Sequence, residues 1–568
     1  MVAALWLGLS PAAAQEYDLV IRNARIVDGT GNPWFPGEVA VKRGRIVAVE
    51  RSGLAPGARE IDAAGMVLAP GFIDVHTHIE SSIFRIPEAD NFLFDGVTTV
   101  VTGNCGGSAL PLGDFFRRLE EARPGVNVAS LIGHNTVRTA VLGSANVQPT
   151  PTQLASMKQL VSEAMQEGAV GLSTGLIYLP GLFAKTDEVV SLARVAATWG
   201  GLYATHMRHE RTDGILAAVD EAIHIGAAAG LPVQISHLKV GQGFPGLDQQ
   251  VLARIDAARA AGVAVTADQY PYAASSTTLV TMLPDWAVAG GESAIRERLA
   301  APATRRRVAM ELEAAMRKAG RSNLDYVAIA DHNPNPSFNG KRVPEITQLR
   351  GSAPGLAEDI ETVLELLSQP GRTSVIYHSW SEPGVELILQ HPAVAVASDG
   401  GVQKPGPLAP HPRSYGTNAR VLGVYSREKR LISLEEAVRK MTSLPARAFR
   451  LDDRGLLLPG FAADLVLFDP KRVRDLATYD EPHQYSEGFA YVMVNGVVVI
   501  DGGTRTAERA GVVLRAHAAV AGGLRKGPSG VGGRRGTGGS AAAFRVDLDA
   551  SGDFLAPCAL LIDRIMRS

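Results

Sequence analysis

Cysteine is nearly missing from this chain: of 568 residues only two are cysteine, Cys105 in a Gly-rich turn and Cys558 close to the end. Two cysteines in such unlike contexts exclude a disulfide framework. Neither sign of charge is in excess, with 56 Lys and Arg against 58 Asp and Glu and a formal net charge of -2. No basic stripe interleaved with aromatics is present, so neither a nucleic-acid nor a membrane-surface partner is expected. Long apolar runs are missing as well, none approaching the ~20 residues that cross a bilayer.

What is present is core-forming material, 46% hydrophobic residues, enough for a large globular chain. The opening MVAALWLGLSPAAAQEYDLV holds a short apolar run ending in small residues, the pattern of a signal peptide over residues 1–14, cleaved after Ala14, although no Lys or Arg precedes the run. A periplasmic or secreted location is the expectation, with the cytoplasm as the alternative.

From Tyr17 to about Ala69, short alternating runs bounded by Gly, Asp or Pro read as β-strands and hairpins. A second such block, GFAADLVLFDP and YVMVNGVVVIDGG, lies near the other end, and residues 15–68 are expected to pair with 455–511 in a small β-sandwich. Between them strand-like runs (TTVVTGN, VNVASLIGH, AVGLST, GLYATHM, PVQISHL, VAVTADQYP, TSVIYHS, VAVASD) alternate with helix-like segments. That rhythm predicts an α/β fold, a TIM-like (β/α)8 barrel over 69–454, with about eight strands from GFIDVHTH to VAVASD. The helix-rich, charged stretch at about 284–355 breaks the rhythm and reads as an insertion capping the barrel mouth. Residues 512–568 run into a Gly/Ser/Arg stretch with too few apolar residues to pack, a disordered tail by composition.

Nearly every one of those strands ends in a polar residue, which is where barrel active sites lie. His76 and His78, two apart in GFIDVHTHIE, point to one face by strand periodicity. Two converging imidazoles can hold a divalent metal. Cys105 in VVTGNCGG, His206 in LYATHMRHE and His237 in VQISHLKVG follow later strands, and Asp399 in VAVASDGG closes the set with a carboxylate able to bind metal or accept a proton. Any one of these alone reads equally as a satisfied strand-end polar group or a small buried hydrophobe; the set together points to a metal centre. His209 and Glu210, just beyond His206, can be read as extra ligands, but a loop after a strand end is often polar, and ordinary polar loop residues are the favoured reading.

These residues carry a resemblance. GFIDVHTHIE, VVTGNCG, GLSTGLIYLPG, THMRHE, ISHLKV, ADQYPY, SDGG followed by HPRSYGT, and GFAADLVLFDP resemble the amidohydrolase superfamily and, within it, the N-acyl-D-amino-acid deacylases, from about Tyr17 to Gly511. The resemblance implies a zinc held tightly by Cys105 and by the His residues of the fourth- and fifth-strand motifs, His206 and His237. A second, weaker divalent position would use His76, His78 and Asp399. Many relatives in the superfamily bridge two metals with a carboxylated Lys; AVGLSTGL has none, and the resemblance implies that Cys105 stands in for it.

The implied reaction is hydrolysis of a small-molecule N-acyl-D-amino acid, with Asp399 as base and then acid. A substrate carboxylate calls for fixed donors. The resemblance nominates Arg413 and Lys239, with Tyr178 and Tyr272 as hydroxyl donors; surface charge and rim packing are the ordinary readings of these four. The D preference rests on the resemblance alone, and no oligomeric state is implied. Competing readings are a D-amino-acid dipeptidase, a cyclic amidase of the hydantoinase or dihydroorotase kind, which the missing Lys disfavours, and a metal-binding scaffold without turnover, which the retained Asp399 disfavours.

Overall fold

A computed structural model describes residues 16–210, 214–241 and 246–516. The expected signal segment and nearly all of the Gly-rich tail lie outside the described residues. No helix among those described is long and apolar enough to cross a membrane.

Eight parallel strands form the central barrel: Phe72–Asp74, Val97–Thr102, Asn127–Ser130 continued by Ile132–Gly133, Gly171–Gly175, Leu202–His206, Val233–Ile235, Val265–Gln269 and Val394–Val396. A parallel bridge from Thr77 to Gly400 joins the ends of the first and last strands. All but one of the residues in these strands are buried, as expected of parallel strands covered on both faces. His206 closes the fifth strand and His237 follows the sixth by this count, rather than the fourth and fifth.

TSVIYHS is not a barrel strand. Thr373–Tyr377 pairs antiparallel with both Ser275–Thr278 and Val327–His332, so the insertion reaches well beyond 284–355 in both directions. A β-branched run looks the same whether its partners are parallel or antiparallel, and only the pairing separates the two cases. This added layer has a core of its own, in which Leu299, Val308 and Leu312 meet Ile360 and Val363.

The two flanking blocks meet in one nine-stranded sheet. Val67–Pro70 is its seam, running parallel to Arg25–Ile26 and antiparallel to Leu465–Phe468. Alternation divides its faces: Leu68, Leu465 and Leu467 enter a core with Leu19, Ile21 and Val39, whereas Val67, Ala69, Val466 and Phe468 join the barrel-side core.

Asp95 ties these parts to the site. Its buried carboxylate accepts hydrogen bonds from the backbone N–H of Asn418 (2.7 Å) and Ala419 (2.9 Å), from Asn418 Nδ2 (3.0 Å) and from Ser486 Oγ (2.9 Å). The first two anchor helix Arg413–Arg420, which begins with a candidate substrate contact. Asp95→Ala takes the partner from the three nitrogen donors, while Ser486 Oγ keeps the Tyr415 carbonyl at 3.1 Å, and is expected to cost about 3 kcal/mol or more, at ~1 kcal/mol or above for each orphaned group. Urea denaturation measures this, and a loss below about 1 kcal/mol would mean the anchor is dispensable.

Candidate metal centre

The turn carrying Cys105 is built by its own sequence. Gly103 (φ 79°), Cys105 (φ 52°) and Gly106 (φ 75°) all take left-handed backbone. Asn104 Nδ2 pins the turn to the carbonyls of Val75 (3.2 Å) and Val101 (3.0 Å), and Glu80 Oε1 accepts from Gly103 N–H at 2.7 Å. A Cβ on Gly106 would fall 2.1 Å from Asn135 Oδ1, so only glycine fits there. His237 (φ 36°) and Asp399 (φ 51°) share the left-handed backbone. Each such non-glycine residue costs on the order of 1–3 kcal/mol, and strain of this kind concentrates at functional sites. Asp74 braces the last of them, accepting from Ser398 N–H at 3.1 Å and from His76 N–H at 3.1 Å. Burial raises the Asp74 carboxyl to about 6.

All six metal candidates converge. Cys105 Sγ lies 3.3 Å from His76 Nε2, 3.6 Å from His206 Nδ1 and 3.6 Å from His237 Nε2. Three trios of ligand atoms, His76/His78/Cys105, Cys105/His206/His237 and His76/His237/Asp399, each fall within 4.8 Å. Asp399 Oδ1 stands 3.1 Å from His78 Nε2 and 3.6 Å from His76 Nε2. Burial opposes ionisation of Cys105, but the imidazoles of His76, His206 and His237 outweigh it and hold the thiol well below its ordinary value. That shift favours the thiolate, the form in which cysteine binds metal.

The donor set fits zinc. Zinc takes sulfur at about 2.3 Å and imidazole nitrogen at about 2.0–2.1 Å in a tetrahedron, which implies S···N edges of about 3.6 Å. The edges from Cys105 to His206 and His237 have that length. A mixed thiolate, imidazole and carboxylate set also matches zinc's borderline softness.

The centre opens onto a cavity of about 240 Å3, lined by Tyr178, Glu210, Lys239, Tyr270, Asp399 and the insertion's Ser275, Ser276 and Thr277, among others. Tyr178 shares a hydrogen bond with Thr277 Oγ1 at 3.0 Å. Arg413 Nη1 lies 2.9 Å from Asp399 Oδ2. Burial would raise the Asp399 carboxyl, yet Arg413, His76 and His78 hold it well below the usual carboxylate range.

Tyr272 does not reach this wall. Its ring packs on His411 (5.3 Å) and under Arg420 (5.0 Å), and Tyr270 takes the lining position, its ring 4.5 Å from the Arg413 guanidinium and 5.5 Å from Lys239 Nζ. A turn at Pro271, closed by Tyr272 N–H on the Tyr270 carbonyl at 2.9 Å, breaks the alternation that would put both rings on one side.

Two buried carboxylates join the site without having been assigned to it from the sequence. Asp268 accepts from His237 N–H (2.7 Å) and Gln234 Nε2 (2.7 Å) and meets His76 Nδ1 at 3.2 Å, turning the other nitrogen of that ring toward Cys105. Glu210, read as a plain loop residue, is buried between Lys239 and His237. The only signal for it was its place four residues past a strand-end His.

Comparison with known proteins follows the same lines. The amidohydrolase family pattern matches residues 59–500. The chain is 36% identical over 531 residues to the N-acyl-D-glutamate deacylase of Alcaligenes xylosoxydans xylosoxydans, a match covering 89% of this chain and 98% of that one. It is 35% identical over 535 residues to the D-aminoacylase of the same organism, covering 90% and 100%. Among solved structures it matches an N-acyl-D-glutamate deacylase from Bordetella bronchiseptica, complexed with zinc and a phosphonate mimic of the tetrahedral intermediate. That match has a TM-score of 0.75 and 36% identity over 88% of this chain and 100% of the other.

Proposed function

Because the chain belongs to the amidohydrolase family and, within it, to the N-acyl-D-amino-acid deacylases, we propose that it hydrolyses the amide bond of N-acyl-D-amino acids with zinc, giving a carboxylate and a free D-amino acid. The observation that carries this reading is that a thiolate–imidazole donor set and the Asp399–Arg413 pair meet beside one polar cavity.

Cys105, His206 and His237 would hold the tight zinc, and His76, His78 and Asp399 the weaker second metal. When bound, zinc supplies Lewis acidity, polarising the acyl carbonyl and lowering the pKa of water from ~15.7 toward ~7. Asp399 accepts the proton of the attacking water as the C–O bond forms, and returns it to the amide nitrogen as the C–N bond breaks. Arg413 and Lys239 bind the α-carboxylate, and Tyr178 borders the acyl side. An arriving carboxylate competes with Asp399 for the Arg413 guanidinium, which orients the substrate's amide toward the same carboxylate that handles its protons. The apolar opening segment supports an exported enzyme, testable by sequencing the mature N-terminus.

The test is release of free amino acid, followed with ninhydrin, from matched N-acetyl-D and N-acetyl-L panels spanning acidic and neutral side chains, before and after chelation. Chelator-sensitive release from the D series alone is expected. Release from the L series alone, or none from either, would overturn the reading, and preference for D-configured dipeptides would move it to a dipeptidase.

A further inference from the structure

We propose that Glu210 is a positioning residue that ties the metal pocket to the carboxylate subsite, holding the metal-facing imidazole of His237 and the substrate-facing ammonium with one carboxylate, its second oxygen lying beside the imidazole of His206. The second half of this rests on the reading that Lys239 receives the substrate's carboxylate.

The geometry is compact. Glu210 Oε1 lies 2.7 Å from Lys239 Nζ and 2.9 Å from His237 Nδ1, and Oε2 lies 3.5 Å from His206 Nε2. The other nitrogens of these two rings, His206 Nδ1 and His237 Nε2, are the ones 3.6 Å from Cys105 Sγ. Glu210 thus stands on the outer side of both imidazoles in the tight trio. Its Oε1 is engaged by Lys239 and His237, which leaves it poorly placed to act as a base; that role falls to Asp399 across the centre.

The tautomer of His237 shows why a carboxylate is needed here. Lys239 Nζ also lies 3.0 Å from His237 Nδ1. An ammonium that donates to Nδ1 forces the ring hydrogen onto Nε2, the nitrogen facing Cys105, and a protonated nitrogen cannot bind metal. Glu210 reverses this: Nδ1–H donates to the carboxylate, the Nε2 lone pair is left on the Cys105 side, and Lys239 is drawn to Oε1 instead. Lys239 is then held over the rings of Tyr270 (5.5 Å) and Trp380 (5.3 Å), at the wall of the cavity. Outer partners of this kind change metal affinity by about 10- to 100-fold.

The experiment is a zinc affinity measured by competition with a chromophoric chelator, together with KM and kcat at saturating zinc, for the full chain and its Glu210→Gln variant. The expected result is zinc binding weakened about 10- to 100-fold and a raised KM, with kcat at saturating zinc changed less than KM. Lys239→Met, which removes only the subsite cation, is expected to raise KM without weakening zinc. Unchanged zinc affinity in Glu210→Gln, or unchanged KM, would overturn the proposal. If that variant does not fold, Glu210→Asp, which keeps the charge and shortens the reach, is read by the same two quantities, and wild-type values for either overturn it equally. The zinc measurement needs no turnover: inactivity of the wild-type chain on every substrate would sink the reaction reading alone, and unchanged zinc affinity would sink this inference alone.

Discussion

Asp399→Asn is expected to keep the tight zinc and lower kcat by about 10^4-fold, the upper range for a group that moves the proton in both directions. Asparagine preserves the shape of the side chain and removes its ability to accept a proton. The trio of Cys105, His206 and His237 does not include Asp399, so zinc content after dialysis should match the parent. The substitution also removes the partner of a buried guanidinium, since Arg413 and Asp399 are both largely shielded from solvent. Breaking a buried pair on one side costs on the order of 3–5 kcal/mol, so a lower melting temperature accompanies the lost turnover. Arg413, released from Asp399, is free for the substrate's carboxylate, and KM is expected to stay level or fall while kcat collapses. A kcat within tenfold of the parent would remove Asp399 from the chemistry.

Positions set by short-range chemistry could be read from the sequence; positions set by three-dimensional convergence could not. His76 and His78 were visible because strand periodicity puts them on one face, and Cys105, His206, His237 and Asp399 because each ends a strand-like run; the structure brings all six together. Glu210 was not visible, because a carboxylate in a loop looks solvated until His237 and Lys239 are known to fold against it, and Asp268, inside the strand Val265–Gln269, shows its role only once the His237 backbone and the His76 ring are known to meet it. Tyr272 was named and Tyr270 was not; Pro271 between them marks a turn, but which ring the turn sends to the cavity depends on the fold around it. The added layer was seen only through its helices. Its strands, Ser275–Thr278 and Thr373–Tyr377, lie almost a hundred positions apart, and nothing local marks them as partners. The same limit applies to the left-handed backbone at His237 and Asp399, which no flanking glycine on the amino side announces.

Cys105→Ala is expected to abolish tight zinc binding and, with it, turnover. Of the three residues in the tight trio Cys105 alone is anionic when it binds, and its sulfur is the atom toward which His76, His206 and His237 all point. Without it the two remaining trio imidazoles face each other across a gap that no other described side chain of the trio fills. The fold should survive: Cys105 is partly exposed, and the turn is held by Asn104, Gly103 and Gly106 rather than by the sulfur. Elemental analysis after dialysis, with circular dichroism as the check on folding, gives the answer. Cys105→Ser separates charge from shape, because a hydroxyl fills the same place but stays protonated near neutrality, and it should lose zinc as the alanine variant does. His76, His78 and Asp399 remain in both variants, so zinc added in excess should return to that weaker position without restoring activity. Zinc retained through dialysis in Cys105→Ala but lost in His237→Ala would show that the sulfur is not a ligand and that the imidazoles hold the metal with Asp399 instead.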